Sequence, residues 1–337
     1  MNIKKMEVAN FTCKSVIGEA ELLDVFEDYV FPAMKYQEVK GSRNSETLSY
    51  KFIDLEFHKI DKELILSGRL VKNLNLKRQQ ILEGEELVQS YDTMESSPSS
   101  FFVLILSNHK LLWVREVPRA PLLKDFKYAV SKMLTHQRSD LIYEYILKEK
   151  QNLFSSNLKK EDIERKAYGE YPDLDINVTP LGNKIAIKEK LAKFKNIYYV
   201  KLKALKRNNE LASDFSALLR TMSQAQELSG AKDATAELKI DKKNSLNKEY
   251  ITNLVQASAD GNYEYLVKGK DDAGIDLKES NETVSLVTEI NYKEDKSENI
   301  NTMYRKFMTL TPMYHSLPRQ STDLYNKLKE IEKNINK

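Results

Sequence analysis

Six consecutive apolar residues, Phe101 to Leu106, run through Ser107-Asn108-His109-Lys110 into a second, largely apolar stretch, Leu111 to Val117. No other feature constrains the chain as much. The run is far below the ~20 residues that cross a bilayer, and turn residues bound it, so it reads as a buried hairpin. A buried hairpin needs further strands beside it. The sequence offers Thr47 to Ile60, where alternation sets Phe52, Asp54, Glu56 and His58 on one face against Ile53, Leu55 and Phe57 on the other. Glu63 to Leu70 and Glu86 to Tyr91 also read as strands. Two helices frame them. One spans Glu19 to Met34 despite Pro32. The other begins after Pro118 and Pro121, with Leu122, Phe126, Ala129, Val130, Met133, Leu141, Ile142, Tyr145 and Ile146 at helical spacing.

At 337 residues the chain is about twice a typical ~150-residue domain, so two units are expected. A polar stretch ending in Gly169-Glu170-Tyr171-Pro172 suits a connection. The expected organisation is an α+β unit at 1–150, a connecting segment at 151–172 and a second α+β unit at 173–337. Each unit is a small, mostly antiparallel sheet packed with helices. In the second unit strands are expected at Tyr198 to Leu205 and Thr235 to Asp241, with helices at Asn209 to Ser229, ended by Gly230, and Ser245 to Ser258. Tyr263 to Gly269, Ile275 to Leu277 and Thr283 to Tyr292 read as a three-stranded meander. Ile300, Met303, Tyr304, Phe307 and Met308 mark a helix capped by Ser297, and a charged helix fills 320–337.

The formal net charge is only +3, too small to name a nucleic-acid or membrane protein from the total. Its distribution is uneven. Between Lys184 and Arg207 nine basic residues (Lys184, Lys188, Lys190, Lys193, Lys195, Lys201, Lys203, Lys206 and Arg207) meet one acid, Glu189, for a local net of +8; the other 313 residues sum to −5. Clustered cations favour phosphate binding through counter-ion release. Alternation in Tyr198 to Leu205 turns Val200, Leu202 and Ala204 to one side and Tyr199, Lys201 and Lys203 to the other. With Tyr199 as a stacking ring, these residues form a candidate nucleic-acid-binding patch. The competing reading is an ordinary solvated face neutralised by acids from elsewhere in the fold. Lysine in place of arginine favours loose phosphate contact over base reading, so sequence-nonspecific binding is expected.

Catalytic patterns are weak. His58, His109, His136 and His315 lack metal-ligand spacing, so no metal or other cofactor is expected. Glu237-Leu238-Lys239 with Asp214 or Asp233 is the only trace of a metal-dependent nuclease, and alternating side chains on an exposed strand edge are the favoured reading of it. Asp54 and Glu56 lack a third ligand. Neither a Walker pattern nor Gly-x-Gly-x-x-Gly occurs. The single Cys13 excludes an internal disulfide and suits a reducing, cytoplasmic compartment. The opening Met1-Asn2-Ile3-Lys4-Lys5 precedes no apolar run of signal-peptide length, so no export is expected.

Two blocks carry a family resemblance. Lys268-Gly269-Lys270-Asp271-Asp272-Ala273-Gly274 with Ile275-Asp276-Leu277, ahead of two strands and a Tyr/Met-bearing helix, resembles the RexA-like phage-exclusion proteins. Ser99-Phe101-Phe102 through Trp113, Arg115 and Pro118 to Asp125-Phe126 is similar to the hairpin and helix of their first domain. Together the blocks cover about a third of the chain, and KwaB-like anti-phage proteins are the nearest alternative. The resemblance implies a two-domain cytoplasmic homodimer that binds DNA without sequence preference. It also implies a separately encoded membrane protein as partner in phage defence, and neither block contains a catalytic signature, so a non-enzymatic protein is expected. A dimer face on the helix with Met303, Tyr304 and Phe307 competes with packing of that stripe on its own sheet. The remaining alternatives are a metal-dependent nuclease and a protein-interaction adaptor without nucleic-acid binding.

Overall fold

The structure is a computed structural model describing residues 2–16, 20–36, 38–41, 48–77, 80–83, 86–89, 93–152, 160–205, 217–231, 233–310 and 322–335. The strands of the first half are β1 (Asn2–Ser15), β2 (Val39–Lys40), β3 (Leu48–Ile60), β4 (Glu63–Lys77), β5 (Gln80–Glu83), β6 (Glu86–Gln89), β7 (Thr93–Ser96), β8 (Ser99–Ile105) and β9 (Lys110–Arg115). Those of the second are β10 (Leu174–Pro180), β11 (Asn196–Ala204), β12 (Ala234–Lys239), β13 (Tyr263–Lys270), β14 (Asp276–Ser280) and β15 (Val287–Tyr292). The helices are α1 (Phe31–Met34), α2 (Leu123–Asn152), α3 (Lys160–Glu170), α4 (Lys184–Ala192), α5 (Ala217–Ser229), α6 (Lys248–Ala257), α7 (Lys296–Leu310) and α8 (Thr322–Ile335). The fold class is α+β, as expected.

A nine-stranded sheet runs β10-β1-β9-β8-β4-β3-β2, with β15 added to β1 and β7 to β4, every pair antiparallel. The β8–β9 hairpin lies at its centre, buried at every position from Phe101 to Val114. One face packs on α2 through Phe102, Trp113 and Phe126, whose rings meet edge to face at 5.4 and 5.5 Å. The other packs on α7 through Ile300, Met303, Tyr304 and Phe307. A four-stranded antiparallel sheet, β12-β11-β13-β14, has its own core under α4, α5 and α6. β5 and β6 form a separate two-stranded ribbon.

Several expectations change. The anticipated meander is broken: β13 pairs with β14, but β15 joins β1, so β10 and β15 carry the large sheet across the segment 151–172. In β3 the register slips between Ile53 and Glu56, with Asp54 at φ 54°. The slip moves Leu55 and Phe57 onto the core face already used by Phe52, and leaves Ile53 exposed. Glu19 to Met34 is not one α-helix but 3₁₀ (Leu22–Asp24), π (Phe26–Val30) and α1 in succession. Asp295, not Ser297, caps α7, accepting from the amides of Ser297 and Glu298. α4 forms where the sequence shows only a basic segment, and its N-cap Asn183 accepts from Ile185 and Ala186. Gly230 ends α5 at φ 65°, as expected, while Asn209 lies outside the described residues. Met303, Tyr304 and Phe307 are at most 4% exposed, so the α7 stripe covers its own sheet.

Candidate polyanion-binding face

The outer face of the small sheet is set by a bulge. Along β11 the register on β13 slips between Ile197 and Tyr199, leaving Tyr198 as the extra residue. Such a slip re-aims the residues beyond it: Ile197 and Val200 both enter the core, and Tyr199, Lys201 and Lys203 face outward. Gly269 permits it. A Cβ at that position collides with the Asn196 carbonyl oxygen and the Phe194 ring.

The registers sort the outer side chains into rows across the strands. The first row reads Lys239, Tyr199, Lys268, Lys278. The second reads Glu237, Lys201, Leu266, Ser280, and the third Thr235, Lys203, Glu264.

Rows two and three are internally neutralised. Lys201 Nζ lies 3.2 Å from Glu237 Oε1, and Lys203 Nζ lies 3.0 Å from Asp233 Oδ2 and 4.0 Å from Glu264 Oε2. Hydrogen bonding from Lys201, then from the Tyr199 phenol, holds the Glu237 carboxyl below its ordinary value. Burial works against the Lys203 charge, but Asp233 and Glu264 outweigh it and keep its pKa above the usual lysine value. Lys190 Nζ is 3.5 Å from Glu279 on β14. The basic segment therefore does not act as one unmatched patch: Lys190, Lys201 and Lys203 each have a carboxylate partner.

Its other members divide. Lys188, Lys193 and Lys195 are exposed on α4 and the turn after it, with no ion pair among the described residues. Lys184 opens α4, its carbonyl accepting from Gln256 Nε2 at 2.8 Å. Lys206 and Arg207 lie outside the described residues. Lys248 fixes the end of α4, donating to the carbonyls of Ala192 and Phe194 at 2.6 and 2.7 Å.

The first row differs in kind. Lys239 and Lys278 are exposed, Lys268 is half-buried, and none of the three forms an ion pair among the described residues. Lys268 Nζ stands 5.1 Å from the Tyr199 ring centroid, a cation–π contact that holds ammonium and ring together. Adjacent strands lie ~4.8 Å apart, so Lys239 and Lys278 bracket about 14 Å of face with Tyr199 between them. Sequence reasoning placed only Tyr199 of this row in the binding patch, naming Lys239 in the nuclease trace and Lys268 in the resemblance block, because the three lysines belong to three other strands. Strand register is the one signal that aligns them.

The other sequence candidates have structural uses. Asp54 pairs with Arg69 at 2.6 Å and Glu56 with Lys296 at 2.8 Å. Glu237 and Asp233 hold lysines, Asp214 lies outside the described residues, and no group of three metal-ligating side chains occurs among the described residues. His58 meets Ser67 Oγ at 2.9 Å, His136 packs its edge on Tyr36, His109 sits in the β8–β9 turn, and His315 is outside the described residues. Burial, then the Asp175 charge, pushes the Cys13 thiol far up and keeps it protonated, the reverse of an activated nucleophile. Among the described residues no helix is long and apolar enough to cross a membrane. No family model and no curated protein matches this chain.

Proposed function

We propose that this chain is a non-enzymatic, sequence-nonspecific DNA-binding protein that holds the nucleic acid on the outer face of its small sheet. The observation that carries the reading is the first row, where Lys239, Lys268 and Lys278 flank Tyr199 and form no ion pair among the described residues, Lys239 acting on Glu237 only at longer range. The site thus shifts from the contiguous basic segment to a row assembled from four strands. The resemblance to RexA-like proteins supplies the setting: cytoplasmic phage exclusion, as a homodimer that signals to a separately encoded membrane protein.

The test is DNA affinity against salt for wild type and for the triple variant Lys239→Gln, Lys268→Gln, Lys278→Gln. Each phosphate contact adds about 0.7 (single strand) to 0.9 (duplex) to the log–log slope, so the variant should lose about 2 to 3 units. An unchanged affinity and slope would overturn the assignment.

A further inference from the structure

Two residues of this face bring apolar surface among its charges. Tyr199 lies in the middle of the first row, and Leu266, opposite Lys201, sits half-exposed one row along on the neighbouring strand. Leu266 belongs to none of the three apolar cores. In the free protein Tyr199 donates its phenol to Glu237 and holds Lys268 over its ring, but a solvated surface gains nothing from Leu266, whereas Val200, Leu202 and Val267 on the reverse side fill the core. The outer face is therefore a small apolar patch bordered by ammonium groups.

A duplex has no counterpart for such a patch. Its outer surface is phosphate and sugar, its base faces are stacked inside, and its base edges are reached by a helix or a two-stranded ribbon in a major groove about 12 Å wide. Four strands at ~4.8 Å spacing present a flat surface about 14 Å between outer strand axes before side chains are added, too broad to enter that groove. A single strand exposes what the patch suits, since every unpaired base has a face that stacks on an aromatic ring while its phosphates reach flanking cations.

Resting on the polyanion reading above, we infer that the preferred ligand is a single-stranded polynucleotide crossing the sheet along the first row. Bases lie on Tyr199 and Leu266, and phosphates meet Lys239, Lys268 and Lys278. In the free protein Lys268 covers the Tyr199 ring. An incoming base takes that ring face and Lys268 turns to a phosphate, so ring and cation are both placed beforehand. Lysine heads and an aromatic face read no base edge, which makes the contact tolerant of sequence.

Fluorescence anisotropy with labelled 20-residue single-stranded DNA, single-stranded RNA and the matching DNA duplex decides it, using the full chain, Tyr199→Leu and Tyr199→Phe. The expected result is at least tenfold tighter binding of both single strands than of duplex. Tyr199→Leu should weaken single-strand binding about tenfold and leave the salt slope and duplex affinity unchanged, and Tyr199→Phe should restore wild-type affinity. Duplex binding as tight as single-strand binding, or equal affinities for wild type and Tyr199→Leu, overturns this inference. If in that case the triple lysine variant still flattens the salt slope, the polyanion reading stands without it. No binding of any of the three probes removes both.

Discussion

Replacing Glu237 with Gln should tighten nucleic-acid binding, an outcome few surface substitutions produce. Glu237 cancels Lys201 at 3.2 Å and lies one row from three lysines that form no ion pair among the described residues, of which Lys239 acts on it at longer range. Its lowered pKa keeps it ionised at neutral pH. Glutamine preserves its size and removes its charge, so Lys201 becomes a fourth cation on the face. With about 0.7 units of slope per phosphate on a single strand, three contacts give about 2.1 and four about 2.8. Between 50 and 200 mM salt, a fourfold change, wild type should lose about 18-fold in affinity and Glu237→Gln about 50-fold. At low salt the variant binds tighter. The exposed pair contributes little to folding, so the melting curve should barely move. The assay is anisotropy titration at four or five salt concentrations. A variant whose slope equals or falls below that of wild type would show that Lys201 faces no phosphate, and the placement of the strand on this face would be wrong.

Three further outcomes concern stability. Gly261 has φ 83°, and a Cβ there lies 2.7 Å from Asn10 Cβ and 2.9 Å from Leu181 Cδ2; Gly261→Ala should cost about 3 kcal/mol in urea denaturation, left-handed strain and overpacking together. Glu116 accepts from Arg69 Nε at 3.0 Å, from Ser99 at 2.6 Å and from Tyr292 at 2.6 Å. Glu116→Ala removes the shared acceptor of three donors and leaves the half-buried Arg69 guanidinium with Asp54 alone, which should cost about 2 kcal/mol, measured the same way. Burial, aided by Lys296 and opposed by Glu56, lowers the His58 pKa. The unfolded chain then binds more protons, so this contribution is complete above about pH 6.5 and is lost as pH falls through the folded value. His58→Gln should flatten the decline of the urea midpoint between about pH 7.5 and pH 5.

The legible parts of the fold are those written in local pattern. The β8–β9 hairpin comes from its apolar run, and the inward set Val200, Leu202, Ala204 from alternation. The illegible parts are long-range or are single-residue irregularities. Nothing in Ile53-Asp54-Leu55-Glu56 signals an extra residue, so alternation alone puts Leu55 on the wrong face, although the analogous slip at Tyr198 leaves the reading of Tyr199 intact. The pairing of β1 with β15, from Asn2 with Tyr292 to Glu7 with Val287, joins opposite ends of the sequence, and no turn chemistry encodes it. The carboxylates that neutralise Lys201 and Lys203 arrive from the turn before β12, from β12 itself and from β13, so the segment's isolated charge could not foretell them.

Rows two and three show what a sheet does with charge when stability alone is served: Lys201 faces Glu237, and Lys203 faces Glu264. Directly opposed unlike charges contribute a few tenths to about 1 kcal/mol, and like charges so placed subtract. The first row breaks that rule in the same sheet. Lys268 stands directly opposite Lys278, and Lys239 flanks Tyr199 from the other side, although the neighbouring positions show that acids fit there. Local sequence does not force the arrangement, because the three lysines come from separate strands. A pairing that costs stability is expected where a site needs it, and a polyanion converts this repulsion into attraction. Lys278→Glu should therefore raise thermal stability slightly while weakening nucleic-acid binding. A variant that binds as wild type, or that melts at a lower temperature, would show that the row is not held against its own repulsion for a ligand.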